Sequence, residues 1–291
     1  MEGNTYAESY LPFGIESKNL KSRMIIVGDL AYETTVVDKK IHTSIGGSGY
    51  YSSIGAKATG NEDFLLLSFV GEDFDFSFFQ SLKISTDGVS VVPYEKTGCF
   101  TTKFWDASGK REFSAVYGAI QFPNYKSILK YLNASCVYLA GGDPIRQLHW
   151  IKELEKNMYH GIIASDLFEK YCLEKPEASK KVIEKSNIVF MNEEERRLLQ
   201  YDPHTMYKIS IIKKGAMGAD IFYGGNYQRS IAPAFSSIAV DTNGAGDILA
   251  GAFLSKILSG YDYVNALSFA VDMATLSVTR EGVQHILKER E

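Results

Sequence analysis

Cysteine is scarce in this chain: the three residues, Cys99, Cys136 and Cys172, are far apart among 291. Because their number is odd and their spacing wide, they form neither a disulfide framework nor a C-x-x-C zinc or redox pair. The sequence therefore shows no cysteine signature of an oxidising compartment. A reducing cytoplasm is the predicted location.

Long apolar runs and an excess of basic charge are also missing. The longest apolar segments, such as residues 64–70, have the length of one strand, whereas a membrane span needs about 20 apolar residues. The formal net charge of −4 gives no broad basic field that would attract phosphate backbones or anionic lipid. We therefore expect neither nucleic acid nor a membrane as a partner.

Residues 1–23 precede the first clear strand and have neither the basic start nor the apolar centre of a signal peptide. We interpret them as an N-terminal extension whose role the sequence does not define. From residue 24 to residue 291 there is no internal repeat, low-complexity stretch or linker. This part is predicted to be one domain.

Short apolar segments and helical segments alternate along that domain. Strand-like runs occupy residues 24–27, 64–70, 136–140, 161–165, 187–191 and 209–213. Runs this apolar are typical of strands that are buried on both faces. The β-α-β succession predicts an α/β fold with a mainly parallel sheet, whose ligands bind beyond the carboxyl ends of the strands.

One segment departs from this pattern. Residues 98–105 and 111–117 alternate polar and aromatic side chains with a period of two, and residues 106–110 between them include Gly109. This pattern predicts a hairpin, about residues 98–117, in a small sheet with one covered face. An ordinary edge hairpin is the alternative.

The most informative motif is Asp241-Thr-Asn-Gly-Ala-Gly-Asp247, which leads directly into an apolar helix. Gly244 and Gly246 allow a ligand to approach the backbone closely, and the free N–H groups of a helix start favour an anion such as a transferred phosphoryl group. Asp247 would lie beside that anion, where its carboxylate could accept the proton of an attacking hydroxyl. Alternatively, Asp247 only complements the helix dipole.

This motif resembles the Asp-Thr-x-Gly-Ala-Gly-Asp signature of the ribokinase (PfkB) family of small-molecule kinases. The resemblance implies that Asp247 is the catalytic base and that Gly244, Ala245 and Gly246 form the anion hole. It also implies ATP as the phosphoryl donor and a three-layer ribokinase-like α/β domain, with a mainly parallel sheet and a small β-sheet lid. The family's motifs follow in order from about residue 24 to residue 284.

A second motif, Asn192-Glu-Glu-Glu195, follows a strand and is similar to the family's Asn-x-x-Glu. In the family this motif organises magnesium, usually through water, which suits a small hard cation. The resemblance therefore implies a metal role for Asn192 and Glu195. The same spacing is also typical of a helix N-cap with a capping-box partner, and both roles together are our prediction.

The strand and turn at Ile211-Ile-Lys-Lys-Gly-Ala-Met-Gly218 resemble the family's support for the ATP phosphates. The resemblance implies nucleotide contacts by Lys213, Gly215, Gly218 and Asp241. Lys213 departs from the family, which commonly has Thr at this position, and a solvated strand end is the alternative. The helix at residues 270–280 resembles the segment that closes over adenine and, in some members, binds a monovalent cation such as K⁺.

The early Gly-Gly motif of the family is matched by Gly46 and Gly47. The resemblance implies that both glycines, together with Asp29, bind the substrate, because one carboxylate can accept from two neighbouring hydroxyls. Members that phosphorylate ribose or nucleosides generally have Asn where this chain has Tyr51, so the sequence favours another sugar or a cyclic polyol. The same stretch also comes close to a dinucleotide fingerprint, and a nicotinamide enzyme is the alternative.

Together these motifs predict an ATP-dependent, magnesium-requiring kinase of a small sugar or polyol. A nucleoside kinase is the second reading. A non-catalytic small-molecule sensor on the same fold is the third, because a fold does not guarantee an activity. A homodimer through the lid is a further expectation. Asp143 and Asp166 also end predicted strands, but because Asp commonly starts helices they receive no role.

Overall fold

The computed structural model describes residues 23–37, 40–104 and 111–288. The strands are β1 (Met24–Val27), β2 (Ala31–Val37), β3 (Lys40–Gly46), β4 (Phe64–Val70), β5 (Val89–Val91), β6 (Gly98–Phe104), β7 (Arg111–Val116), β8 (Cys136–Leu139), β9 (Ile162–Asp166), β10 (Ile188–Asn192), β11 (Ile209–Lys213), β12 (Ala219–Tyr223) and β13 (Asn226–Ile231). The α-helices are α1 (Ser48–Lys57), α2 (Ser77–Ser81), α3 (Pro144–Lys156), α4 (Glu169–Glu174), α5 (Pro176–Lys185), α6 (Glu193–Leu199), α7 (Ala245–Leu258), α8 (Tyr263–Ser277) and α9 (His285–Lys288).

The larger sheet has the strand order β13-β12-β11-β10-β9-β8-β1-β4-β5. Its strands are parallel from β5 to β11, and β12 and β13 are antiparallel additions at one edge. Each face carries its own hydrophobic core: Ile54 of α1 and Phe253 of α7 pack on one face, and Trp150 of α3 and Val182 of α5 on the other. The predicted three-layer α/β fold is therefore confirmed.

Helices α1 and α7 cross closely on one face of this sheet. A Cβ atom at Gly251 of α7 would overlap the backbone carbonyl of Ser52 in α1, so only glycine permits this approach. The contact fixes α7 against the helix that follows the Gly-Gly motif. No α-helix among the described residues is long and apolar enough to cross a membrane.

The smaller sheet, which we call the lid, has the strand order β3-β2-β6-β7. The predicted hairpin corresponds to β6 and β7, which pair antiparallel with Cys99 opposite Val116. Strands β2 and β3 were not predicted. They pair antiparallel with each other, and β2 pairs in parallel with β6, so the lid has four strands instead of the predicted two. The predicted turn at residues 106–110 lies outside the described residues, as does the N-terminal extension apart from Arg23.

The carboxyl ends of the parallel strands bring polar residues to one edge of the large sheet. Asp166 ends β9, Asn192 ends β10 and Lys213 ends β11, with Asn192 and Lys213 opposite each other in register. Asp29 follows β1 at the same edge. The fold thus gathers residues from four separate parts of the sequence beyond the strand ends.

Candidate active site

A cavity of about 660 Å³ lies at this edge of the sheet and extends under the lid. This volume falls within the range of pockets that hold small molecules, about 300–1,000 Å³. Its polar and charged lining residues include Asp29, Glu33, Tyr51, Tyr117, Arg146, Asp166, Lys170, Tyr171, Glu195, Lys213 and Asp247. The lid contributes Thr34, Thr35, Phe100 and Thr102.

The start of α7 forms part of the cavity wall. Gly244 is the N-cap residue, with a φ of 70°, and a Cβ atom there would overlap the ring of Tyr51. The first N–H groups of a helix have no acceptor within it, so the turn at Gly244 and Gly246 presents donors and a positive dipole end to the cavity. This geometry suits a bound anion.

Asp247 is a half-buried carboxyl in the first turn of α7 and lines the same cavity. Burial raises its pKa well above the usual range, the nearby Asp166 carboxylate raises it further, and Lys213 opposes the shift. A carboxyl with a raised pKa is a stronger base when ionised, as a proton acceptor requires. Strong perturbation within a cavity is also typical of functional carboxyls.

Lys213 forms a two-point ion pair with Asp166 on the cavity wall. Its Nζ lies 2.8 Å from Oδ1 and 2.7 Å from Oδ2 of Asp166, whose side chain is 2% exposed. Burial disfavours the charged amine, but Asp166, Glu195 and Asp247 outweigh burial and raise the pKa of Lys213. A Cβ built on Gly246 would lie 3.1 Å from Nζ, so the ammonium group is close to the start of α7.

Asn192 and Glu195 form the capping box that their spacing predicts. The Asn192 side chain accepts from the Glu195 N–H at 2.7 Å, and Glu195 Oε2 accepts from the Asn192 N–H at 2.7 Å. Glu195 is 4% exposed and lines the cavity. Burial raises its pKa to about 7, an effect that Lys213 opposes and Asp166 reinforces. Its other oxygen, Oε1, has no hydrogen bond to the described residues.

Asp29 is held by an arginine on the cavity wall. Arg146 of α3 donates to Oδ1 at 3.3 Å and to Oδ2 at 3.1 Å, and it also donates to the Ile120 carbonyl at 2.9 Å. Both carboxylate oxygens keep further lone pairs for a ligand. The pair therefore fixes Asp29 in place and offsets its charge.

Tyr51 connects the lid to the start of α7. Its hydroxyl donates to Glu33 Oε2 at 2.7 Å, and Glu33 Oε1 accepts from the Gly47 N–H at 3.1 Å. Burial raises the pKa of Glu33, while the hydrogen bonds from Tyr51 and Gly47 lower it. The Tyr51 ring also packs against Gly244, so strand β2 of the lid, helix α1 and the start of α7 are joined through one side chain.

The structure brings most of the predicted site residues together. The cavity wall contains Asp29, Gly47, Tyr51, Glu195, Lys213, Gly244, Gly246 and Asp247. The remaining predicted residues, all of them described, lie off that wall: Gly46, Asn192, Gly215, Gly218, Asp241 and Ala245. Gly215 and Gly218 shape the turn between β11 and β12, and Asp241 Oδ1 accepts from the Asn243 N–H at 3.0 Å.

The sequence profile of the pfkB family carbohydrate kinases matches residues 23–290. The chain belongs to this family. The match includes both the strand-end residues and the start of α7, so the cavity of this pfkB family member is its candidate active site. The resemblance drawn from the sequence motifs is thereby confirmed.

Solved structures of several kinases share the fold. A nucleoside kinase from Methanocaldococcus jannaschii has a TM-score of 0.77 at 20% identity, covering 93% of this chain and 99% of that one. A Burkholderia thailandensis nucleoside kinase in complex with inosine has a TM-score of 0.78 at 17% identity, covering 91% and 93%. A Xylella fastidiosa fructokinase with bound ATP has a TM-score of 0.77 at 16% identity, covering 93% and 97%.

The sequence motifs did not indicate a function for several cavity residues of this pfkB family member. They are Glu33, Arg146, Asp166, Lys170 and Tyr171. The position of Asp166 at the end of a predicted parallel strand could have indicated a functional role, but Asp is also common at helix starts. The others lie in lid strands or helices whose position over the cavity depends on tertiary structure.

Proposed function

We propose that this chain transfers the γ-phosphoryl group of ATP to a hydroxyl of a small sugar or polyol. The observation that carries the proposal is the half-buried Asp247 carboxyl beside the open start of α7 in a cavity that the lid covers. Membership of the pfkB family supports a kinase. The intact base and anion site argue against a sensor without activity.

The chemistry assigns one task to each group. Asp247 accepts the proton of the acceptor hydroxyl while the hydroxyl oxygen bonds to the γ-phosphorus. The bond between that phosphorus and the oxygen that bridges it to the β-phosphate breaks, and ADP leaves. The N–H groups at Gly244, Ala245 and Gly246 stabilise the charge on the transferred group. The Lys213 ammonium, held by Asp166, adds a fixed positive charge beside them.

The acidic groups of the cavity fit a magnesium ion that is bound mainly through water. Among the described residues, no cluster of three His, Cys, Asp or Glu side chains offers direct coordination, and both Asp166 oxygens bind Lys213. Glu195 Oε1, which has no hydrogen bond to the described residues, would hold a water of the ion. When bound, magnesium offsets the phosphate charge.

Aromatic side chains at the lid end favour nucleosides as a second class of acceptor. Phe100 and Tyr117 contact each other edge to face at 6.2 Å, and Phe168 and Tyr171 at 5.9 Å, all on the cavity wall. Flat faces of this kind can stack on a nucleobase or on a sugar ring. An assay of ADP release from ATP with sugars, polyols and nucleosides tests the proposal. Release without any acceptor dependence would contradict it.

Glu195 has two proposed roles: its charge helps to bind magnesium through water, and its side chain completes the capping box with Asn192. Glu195→Gln keeps a side-chain oxygen for the Asn192 N–H, whereas Glu195→Ala removes the capping box and should cost about 1 kcal/mol of unfolding free energy. We expect both variants to raise the magnesium concentration needed for half-maximal turnover. Magnesium titrations and urea unfolding of both variants test this. An unchanged magnesium dependence would leave Glu195 with only the cap.

Asp29 is expected to recognise neighbouring hydroxyls of the acceptor. Asp29→Ala should lower kcat/KM by about 10- to 100-fold for a diol-bearing acceptor and much less for its deoxy analogue. Arg146→Gln is the matched control, because it leaves the carboxylate but removes its support, and should affect the diol-bearing acceptor less than Asp29→Ala does. Equal losses for both acceptors with Asp29→Ala would contradict diol recognition.

A further inference from the structure

Three polar side chains converge where the lid meets the core. Lys170 Nζ of α4 donates to the Tyr117 hydroxyl at 3.2 Å, and the hydroxyls of Tyr117 and Tyr171 lie 3.1 Å apart. Tyr117 follows lid strand β7, whereas Lys170 and Tyr171 belong to α4. All three line the cavity. We call them the lid-end cluster.

The cavity wall carries three basic side chains, and two of them already have acidic partners. Arg146 is paired with Asp29, and Lys213 with Asp166. Lys170, in contrast, forms no ion pair with the described residues; its hydrogen-bond partner is the neutral Tyr117 hydroxyl. Glu169, the adjacent residue, is exposed. The hydrogen bond to Tyr117 raises the pKa of Lys170, and the carboxylates of Glu174 and Asp143 also raise it as nearby charges, but neither carboxylate forms an ion pair with it, so its ammonium group is available to a ligand anion.

The cluster joins the lid side of the cavity wall to the core. Tyr117 follows lid strand β7, whereas Lys213 ends core strand β11 and Asp247 is in the first turn of α7, where phosphoryl transfer is proposed. The Lys170 ammonium has two N–H donors left after its bond to Tyr117, and the paired phenols supply one more donor. These donors would meet the far end of an acceptor whose hydroxyl points to Asp247.

We propose that the acceptor is a polyhydroxylated acid whose carboxylate binds the lid-end cluster, with Lys170 as the residue that determines this specificity. The inference rests on the proposed kinase function and narrows its substrate class to sugar acids. One ammonium group balances the single charge of a carboxylate. A phosphate monoester carries about −1.5 to −2 at neutral pH and would leave charge unbalanced.

Matched acceptors test the proposal. Aldonic acids and alditols of the same chain length, D-gluconate and D-glucitol among them, differ by a carboxylate in place of a hydroxymethyl group; D-glucitol 6-phosphate supplies the phosphate arm. The wild-type protein should phosphorylate acids with the higher kcat/KM. Lys170→Met should lower kcat/KM for acids by about 10- to 100-fold and change it less than about threefold for alditols.

Lys175→Met is the control variant. Lys175 also lies over the Tyr171 ring, at 5.0 Å, but it is paired with Asp143, so its loss should leave the preference for acids unchanged. Lys170→Arg should restore part of that preference, because it keeps the charge. The binding of gluconate, followed by saturation-transfer NMR, gives a second readout that does not depend on turnover.

The outcomes separate this inference from the proposed kinase function. Turnover of alditols or phosphorylated alditols in preference to acids, or equal losses with Lys170→Met, would overturn the carboxylate assignment and leave the kinase intact. Acid binding that Lys170→Met abolishes, without phosphorylation of any acceptor, would support the site and contradict the kinase. Absence of both acid binding and acid turnover overturns the inference.

Discussion

Asp247→Asn is expected to lower turnover by about 10²- to 10⁴-fold, the usual contribution of a positioned proton acceptor. The amide has nearly the shape of the carboxyl but cannot accept the hydroxyl proton, so ATP binding should remain nearly unchanged. Single-turnover kinetics with an identified acceptor, together with a nucleotide-binding measurement, separate the two effects. Near-normal turnover would show that Asp247 is not the base.

The pH dependence gives an independent test of the same residue. A base acts only when deprotonated, so kcat/KM should rise with pH, and the raised pKa of Asp247 places this rise above the ordinary aspartate value of about 3.9. Asp247→Asn should lose the rise. If Asp247 only complemented the helix dipole, its loss would cost about 0.3–1 kcal/mol of stability and leave turnover unchanged.

Asp262→Asn is the matched control for this variant. Asp262 is the N-cap of α8, where its carboxylate accepts from the Val264 and Asn265 N–H groups. Asn caps helices about as well as Asp does. The same chemical change at a helix start away from the cavity should therefore leave both stability and turnover nearly unchanged.

The sequence predicted the large sheet well and the lid only in part. Fully buried strands such as β4 and β8 are short apolar runs, so their burial is visible in their composition. Strands β2 and β3 mix Glu33, Lys40 and His42 with apolar residues, and this composition does not distinguish a lid strand from a polar loop. The two strands pair with each other locally, but β2 joins the predicted hairpin by pairing with β6, which lies more than 50 residues further along the chain.

The candidate site, like the fold, could be predicted from the sequence only in part. The glycines at the start of α7 and Asp247 are contiguous in the sequence, so a local motif was enough to predict that they lie together. The partner of Lys213 was not predictable from spacing, because Asp166 lies 47 positions earlier and two strands away in the sheet order β11-β10-β9. Tyr51 is predicted to bind the substrate and lines the cavity, but the sequence did not indicate that its hydroxyl donates to Glu33, a residue of an unpredicted strand.

The Lys213–Asp166 pair should make a large contribution to stability as well as to turnover. Lys213→Met leaves the 2% exposed Asp166 carboxylate without its cation, close to the acidic Glu195 and Asp247. Removing one partner of a buried ion pair typically costs about 3–5 kcal/mol. We therefore expect Lys213→Met and Asp166→Leu each to lower the unfolding free energy by about that amount in urea titrations.

The double variant separates stability from chemistry. Lys213→Met with Asp166→Leu removes both charges together, and apolar replacement of a buried pair is often nearly neutral for stability. If the ammonium group stabilises the transferred phosphoryl charge, the double variant should regain stability but remain at least about 10-fold slower than the wild type. Recovery of full turnover together with stability would make the pair purely structural.

The neighbouring pair of Lys214 and Asp220 provides the control. Its Nζ–Oδ1 distance is 2.6 Å and its lysine has the same side-chain exposure as Lys213, 16%, but neither residue lines the cavity. Lys214→Met should lower stability, because it also loses a hydrogen bond to Ser230, and leave turnover per folded molecule unchanged. Since the two lysines are adjacent in β11 and its turn, a loss of turnover confined to the Lys213 variants would locate the effect at the anion site rather than in the strand.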